Sequence, residues 1–319
     1  MSWILIAGFG ILVLGLMWLV YSLVWGTPPS IHLAVERLAF RMVLADPETL
    51  TQLGLLDNTL LDFHSGRLTD VSPRADVDRR RLDREGLALI RRYRPERLAG
   101  QKWVTYHLMC WYFEQNLLGH RFDYHWAAGP VFMGPYPVNH VCGVQVDFVQ
   151  FLSTYHKIKG RRSLRRYLNR LAQVGWKLAG LQASLQTRSV AGVIPPRFVL
   201  EKSLAQIDAL LAEPASASPL FTYVVEQMEK SGRFSKHAQD RWGKRIEEAI
   251  ENQIKPAYRA LAGLLQVQLE QATEDDGVWK LPDGEAYYAF LLRHHTTTEL
   301  SAEDIHQLGL DEVQRLSKA

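Results

Sequence analysis

The first feature of the hydrophobic pattern is a long uncharged stretch. No Asp, Glu, Lys or Arg occurs from Met1 through Val35, and Trp3 to Trp25 is an almost unbroken apolar run. About 20 such residues cross the hydrocarbon core of a bilayer. Trp3 at one end and Tyr21 and Trp25 at the other suit the two interfaces, and Pro28-Pro29 stops the helix. The pattern predicts a single transmembrane helix within residues 1–27, followed by a mostly helical body over 28–319. A cleaved signal peptide would need a basic leading region and a small-x-small site, and neither is present. No Cys stands where a lipoprotein would be acylated.

The body reads as a succession of helices. Ile31 to Leu44 carries Leu33, Phe40 and Val43 at helical spacing. Asp46-Pro47 opens another helix with proline at its first position. Arg79 to Tyr93 is helical and dense in arginine. Trp103 to Asn116 (WVTYHLMCWYFEQN) reads as a buried helix, with His107 a core residue. His120 to Gln150 is punctuated by Gly129, Pro130, Gly134, Pro135 and Pro137, which predict an aromatic loop ending in Asn139 to Gln145. In Lys157 to Arg170, Arg161, Arg162, Arg165, Arg166 and Arg170 are expected on one helix face and Leu164, Leu168 and Leu171 on the other. Further helices are expected over Arg197–Leu211 and Ser235–Gln271, the latter kinked by Pro256. Glu213 to Pro219 (EPASASP) is the candidate linker. Leu281-Pro282-Asp283-Gly284 reads as a turn, and three consecutive threonines after Arg293-His294-His295 favour extended backbone. Ser301 with Asp304 forms a capping-box start for a helix expected to stop at Gly309, with Asp311 capping a last short one. The fold class is therefore mostly α, with a few short strands.

Charge changes this picture little. The chain of 319 residues has a net charge of +3, too low for a nucleic-acid binder without a recognised motif. Two stretches are nonetheless basic. Arg74 to Lys102 holds ten basic against five acidic residues, and Lys157 to Arg170 holds seven basic and none acidic. The first reads as a solvated helix face with local ion pairs or as a phosphate or lipid site, and the second as a surface helix whose inner face packs or as a patch against anionic lipid. Two cysteines, Cys110 and Cys142, make no disulfide framework and no CxxC site. They read as two thiols or, in an oxidising compartment, as one bridge.

Motifs that carry chemistry are missing. There is no His-Glu dipeptide and hence no HExxH, and no nucleophile elbow, Walker loop or dinucleotide fingerprint. His294-His295 is the one adjacent histidine pair, and neighbouring residues point in different directions. A zinc site from His140, His294 and a carboxylate has no spacing to support it. The same holds for catalysis by Cys142 beside His140.

Three long segments carry a resemblance: GPYPVNHVCGVQVDFVQFL (Gly134 to Leu152), GVIPPRFVLEK (Gly192 to Lys202) and LPDGEAYYAFLLRHHTTTELSAEDIHQLGL (Leu281 to Leu310). They resemble the bacterial domain-of-unknown-function 885 family, from about Ile31 to the C-terminus. The resemblance implies a zinc-metallopeptidase-like ancestor whose members carry a His-Glu helix (HEAxPGHH-like) beyond the segment matching Arg293 to Leu310. In such enzymes two histidines hold the metal and the glutamate activates water. This chain ends before that helix, so no metal ligand carries over and zinc is expected only for the full-length family domain. Arg37 and Arg41 after the apolar run would keep the body in the cytoplasm by the positive-inside rule, which is weak for long domains; the resemblance implies instead a body outside the cytoplasmic membrane, on the periplasmic side. What it leaves is substrate-side structure. Arg293 to Thr298 is a candidate peptide-binding strand, with the Asn139–Gln145 loop near it. The candidate binding residues are Asn139, His140, Gln145, Arg293, His294, Thr296 and Thr297.

Two functions remain open from sequence. One is the membrane-anchored N-terminal portion of a metallopeptidase-like hydrolase, inactive alone, with membrane lipid as partner through its N-terminal helix and a peptide as substrate. The other is a non-catalytic tethered helical module that binds a peptide or partner protein. The first predicts exposed apolar surface at the open side of a half-built domain. The second predicts a polar outer face on the last helix.

Overall fold

The computed structural model describes residues 14–128 and 132–318. The chain divides into two compact units, Met1–Asp46 with Val77–Leu117, and Pro47–Asp76 with Leu118–Ala319. Both are helical. Among the described residues the strands are β1 (Trp126–Ala128) and β2 (Phe132–Gly134), paired antiparallel with Trp126 opposite Gly134.

In the first unit, α1 covers residues 14–24. The first half of the Trp3–Trp25 run lies outside the described residues. Among the described residues no helix is long and apolar enough to cross a membrane. Leu16, Trp18, Tyr21 and Trp25 are exposed. Arg37 closes the end of α1, donating to the carbonyl of Gly26 at 2.9 Å, as a cation at a helix C-terminus does. α2 (Ile31–Leu44) buries Ile31, Ala34 and Leu38, one face at i, i+3 and i+7. They join Leu87, Leu89 and Ile90 of α4 (Pro73–Ile90) and Phe113 of α5 (Gln101–Gly119). Gly86 lets the Phe113 ring approach, since a Cβ there would run into it. α5 is less buried than its composition predicts. Trp103, Val104, His107 and Leu108 are exposed, because apolar residues go all round the helix and one face alone meets the α2–α4 core.

The second unit is built on α7 (Arg161–Val190), a helix of 30 residues. Leu164, Tyr167, Leu171, Val174, Leu178, Leu181 and Leu185 recur at intervals of three and four and are all buried. Leu200, Leu204 and Ile207 of α8 (Arg197–Ala212) and Tyr258, Leu261 and Leu265 of α11 (Lys255–Gln271) complete that core, with α6 (Val144–Thr154), α9 (Pro219–Ser231) and α10 (Lys236–Ala249) around it. Near Pro256, where the sequence predicts a kink, the helix carries a π-helical segment, Ile250–Ile254, with Lys255 between it and the proline. A wider turn there frees the carbonyl that the proline ring would strike.

Several expectations are corrected. The basic face of Lys157–Arg170 is split: Arg161, Arg162 and Arg165 are exposed, but Arg170 is fully buried and Arg166 nearly so. Both guanidiniums find acceptors inside, which composition could not reveal. The Glu213–Pro219 linker is a tight connection, with Ala215 buried and the Ser218 hydroxyl capping α9. Arg293 to Thr296 is not a strand. It is the last turn of α12 (Gly284–Thr296), which Thr297 ends in a left-handed conformation. The Ser301–Asp304 capping box forms as expected. Its helix, α13 (Ala302–Ser317), runs through Gly309 instead of stopping there, since mid-helix glycine costs only about 1 kcal/mol. Cys110 and Cys142 are both free thiols.

Candidate functional site

α12 starts sharply. Asp283 holds φ +53° and Gly284 lies under the Val278 carbonyl, where a Cβ has no room. From there Tyr287 and Phe290 turn inward onto Phe122 and Tyr124, with edge-on ring contacts of 5.0 and 5.1 Å to Tyr287. The Tyr124 hydroxyl donates to the Pro282 carbonyl at 2.5 Å, and burial with the Asp283 carboxylate beside it pushes its pKa up to about 12. Tyr287 pairs with His125 Nδ1 at 3.0 Å, and burial raises its pKa further still. These hydroxyls stay protonated and bind as neutral groups.

Ala286, Ala289 and Arg293 occupy the outer face of the same helix at i, i+3 and i+7. With Leu118, Arg121 and Phe122 they line a cleft of about 470 Å³, with Asp283 at one end. Two small side chains make the room, the rings and Leu118 give an apolar floor, and Arg121 and Arg293 set cations at the rim. Arg293 also pairs with Glu299 at 2.6 Å. Such a cleft fits an apolar segment that bears an acidic group.

Three residues among those described group as metal donors would: Asp57, Asp62 and His64. Their bonding does not fit a catalytic zinc. His64 Nε2 meets Asp57 at 2.7 Å. The Asp62 carboxylate accepts from the Asn58 amide at 2.6 Å, the Ser65 hydroxyl at 2.8 Å and the Ser65 amide at 3.1 Å, and from Arg166. A guanidinium already supplies the positive charge that a metal would bring. With His64 and Asp62 fully enclosed, no substrate reaches the group.

A model of the family described as bacterial protein of unknown function (DUF885) matches residues 47–319. The chain belongs to this family. No curated protein matches. Among solved structures, "the putative lipoprotein from Colwellia psychrerythraea" is similar, with a TM-score of 0.75 and 19% identity over 89% of this chain. That match shares the helical fold. The present DUF885 chain spans half the length of that neighbour.

The sequence candidates fall in two places in this DUF885 chain. Asn139 organises its loop: its side-chain oxygen accepts from the Val141 amide at 3.0 Å and the Cys142 amide at 2.8 Å, and its carbonyl accepts from Gln145 at 2.7 Å. Gln145 is buried, and its own carbonyl accepts from the Tyr258 hydroxyl at 2.6 Å. His140 packs edge-on against Phe198, 5.9 Å away, and its carbonyl accepts from Gln206 at 2.9 Å. These three seat the loop on α8 and α11. Arg293 lines the α12 cleft, whereas Thr296 bonds back to the Leu292 carbonyl at 2.8 Å and Thr297 closes the helix. His294 lies 6.0 Å from the Phe290 ring, and burial, with His295 next to it, lowers its pKa. Sequence reasoning missed Arg121, Phe122, Asp283, Ala286 and Ala289. The spacing of the two alanines before Arg293 was the available signal, cut off by reading Arg293 to Thr298 as a strand.

Proposed function

We propose that this chain is the substrate-side portion of a membrane-anchored, metallopeptidase-like hydrolase, with the α12 cleft receiving a peptide and the zinc-bearing His-Glu helix supplied by further sequence. The cleft would take apolar side chains on Leu118, Phe122 and Phe290 and an acidic group between Arg121 and Arg293.

The observation that carries this reading is α13. It has no buried residue, and Leu308, Leu310, Val313 and Leu316 are all exposed. A helix with so apolar a side needs a partner surface, and it follows directly on the cleft helix. The proposed occupant is the remaining part of a longer domain, in keeping with a neighbour twice as long. Anchoring draws support from the apolar run Trp3–Trp25 and from the lipoprotein description of that neighbour. With it goes a periplasmic body.

The test is to purify the full chain in detergent, alone and co-produced with the C-terminal half of a longer family member. Zinc content and chelator-sensitive peptide hydrolysis are then measured. The expected result is neither property alone, and both in a one-to-one complex. Stoichiometric zinc or hydrolysis by the chain alone would overturn the reading. A complex without zinc or hydrolysis would leave the non-catalytic tethered module instead.

A further inference from the structure

The loop between α3 (Pro47–Gln52) and α4 displays apolar side chains outward. Leu60 is 94% exposed and Leu61 69%, and Leu53, Leu55 and Phe63 are also exposed. Scattered surface leucines are ordinary, but five within eleven residues form a patch that calls for a partner.

The loop is not loosely held. Gly54, Leu56 and Asn58 all adopt positive φ, of 67°, 64° and 61°, a costly conformation for leucine. It is enforced from beneath. Asp62 gathers the Asn58 amide, Ser65 and Arg166, and Asp57 takes His64. Both carboxylates of the loop therefore point inward onto polar partners, while the leucines point out. A loop folded only to bury its apolar residues would do the reverse.

What surrounds the leucines decides the partner. Lys157 Nζ lies 3.9 Å from where a Gly54 side chain would begin, and Arg166 packs against Gly66. From Lys157 onward the exposed side chains Lys159, Arg161, Arg162 and Arg165 follow without an acidic residue. Lys159 also shares a shallow cleft of about 310 Å³ with Lys230 and Arg233. An exposed apolar tip beside this run of cations complements an anionic bilayer: the tip enters the acyl boundary and the cations meet phosphates. A second copy of the chain would bring the same positive field and be repelled.

We infer that the Leu53–Phe63 loop, with the adjoining Lys157–Arg165 cations, is a membrane-contact surface that inserts into anionic lipid, distinct from the N-terminal apolar run.

The test places an environment-sensitive fluorophore on L60C in a C110S/C142S background of the full chain, in nanodiscs of phosphatidylcholine with or without phosphatidylglycerol. A label at V190C, at the other end of α7 and about 40 Å along it, is the control. The expected result is blue-shifted emission and a several-fold rise in intensity at position 60 in anionic discs only, reversed by high salt and by R161E/R162E/R165E, with position 190 unchanged. Chain that co-elutes with anionic discs while the label stays in water overturns the inference. So does shielding that grows with protein concentration in the absence of lipid, which would mark a second copy. Chain that does not associate with discs at all would overturn both this surface and the proposed anchor.

Discussion

Arg170 donates from Nη1 to Nδ1 of His156 at 2.8 Å, both side chains being buried. The far nitrogen, His156 Nε2, donates to the Ser163 carbonyl at 3.0 Å. This fixes the neutral tautomer with its proton on Nε2. Arg170 also donates to the Thr51 hydroxyl at 2.7 Å and the Arg67 carbonyl at 2.9 Å, so a single guanidinium ties α7 to α3 and to the chain entering α4.

Burial, reinforced by the Arg170 charge, lowers the His156 pKa to about 3. The unfolded chain binds this proton near pH 6.5, so between those values it holds more protons than the folded one. Stability should be unaffected above pH 6.5 and fall as pH drops toward 3. At pH 4.5 the loss from this residue is about 2–3 kcal/mol. Denaturant midpoints against pH should show the slope, and His156→Gln should reduce it while costing some stability at neutral pH. An unchanged slope in that variant would remove His156 as its source.

Asp62 is enclosed and accepts from Asn58, Ser65 and Arg166. Asp62→Ala leaves the Arg166 guanidinium largely buried without its carboxylate, a change that costs about 3–5 kcal/mol. Thermal unfolding should show the loss, and limited proteolysis should cut first within 53–63, because the two non-glycine positive-φ residues lose their restraint. A loss under 1 kcal/mol would mean the network does not hold the loop.

Gly143 precedes α6, and a Cβ there would meet the Asn139 backbone carbonyl oxygen and amide nitrogen at 2.5 and 2.6 Å. Backbone cannot step aside as a flexible side chain would. Gly143→Ala should destabilise by about 1–3 kcal/mol, read as a lower denaturant midpoint. A neutral effect would show that the 139–145 loop adapts freely.

The α12 cleft should select acidic peptides. Arg121→Ala or Arg293→Ala each removes one charge-assisted partner, lowering affinity about tenfold for a short apolar peptide ending in a free carboxylate. Fluorescence anisotropy with the full chain reads this directly. Equal binding by the amidated peptide would argue against the cations as anchors.

Leu308→Glu and Leu316→Glu alter exposed positions of α13 and should change the stability of the chain by no more than about 0.5 kcal/mol. They should abolish the complex with a downstream half-domain in a pull-down. Substantial unfolding of the chain alone would mean α13 is already packed.

Periodicity by itself determined the helical architecture. Ile31–Leu44 is helical at those residues, and the three-and-four spacing of leucines from Leu164 onward marks the buried stripe of α7. Such patterns are local, since a helix closes its own hydrogen bonds and the sequence need only state which side is apolar. The Ser301 cap is local in the same way. Partnership is not. Arg166 and Arg170 look like surface residues until Asp62 and His156, distant in sequence or beyond a turn, are seen to receive them. Thr296 and Thr297 look extended until α12 carries its register to them. The cleft joins Arg121 to Arg293 across more than half the chain, and Leu60 and Leu61 are outward because Asp57 and Asp62 are held in. Which polar groups find acceptors inside, and which apolar groups are left outside, depends on contacts between remote segments, and only the tertiary structure decides it.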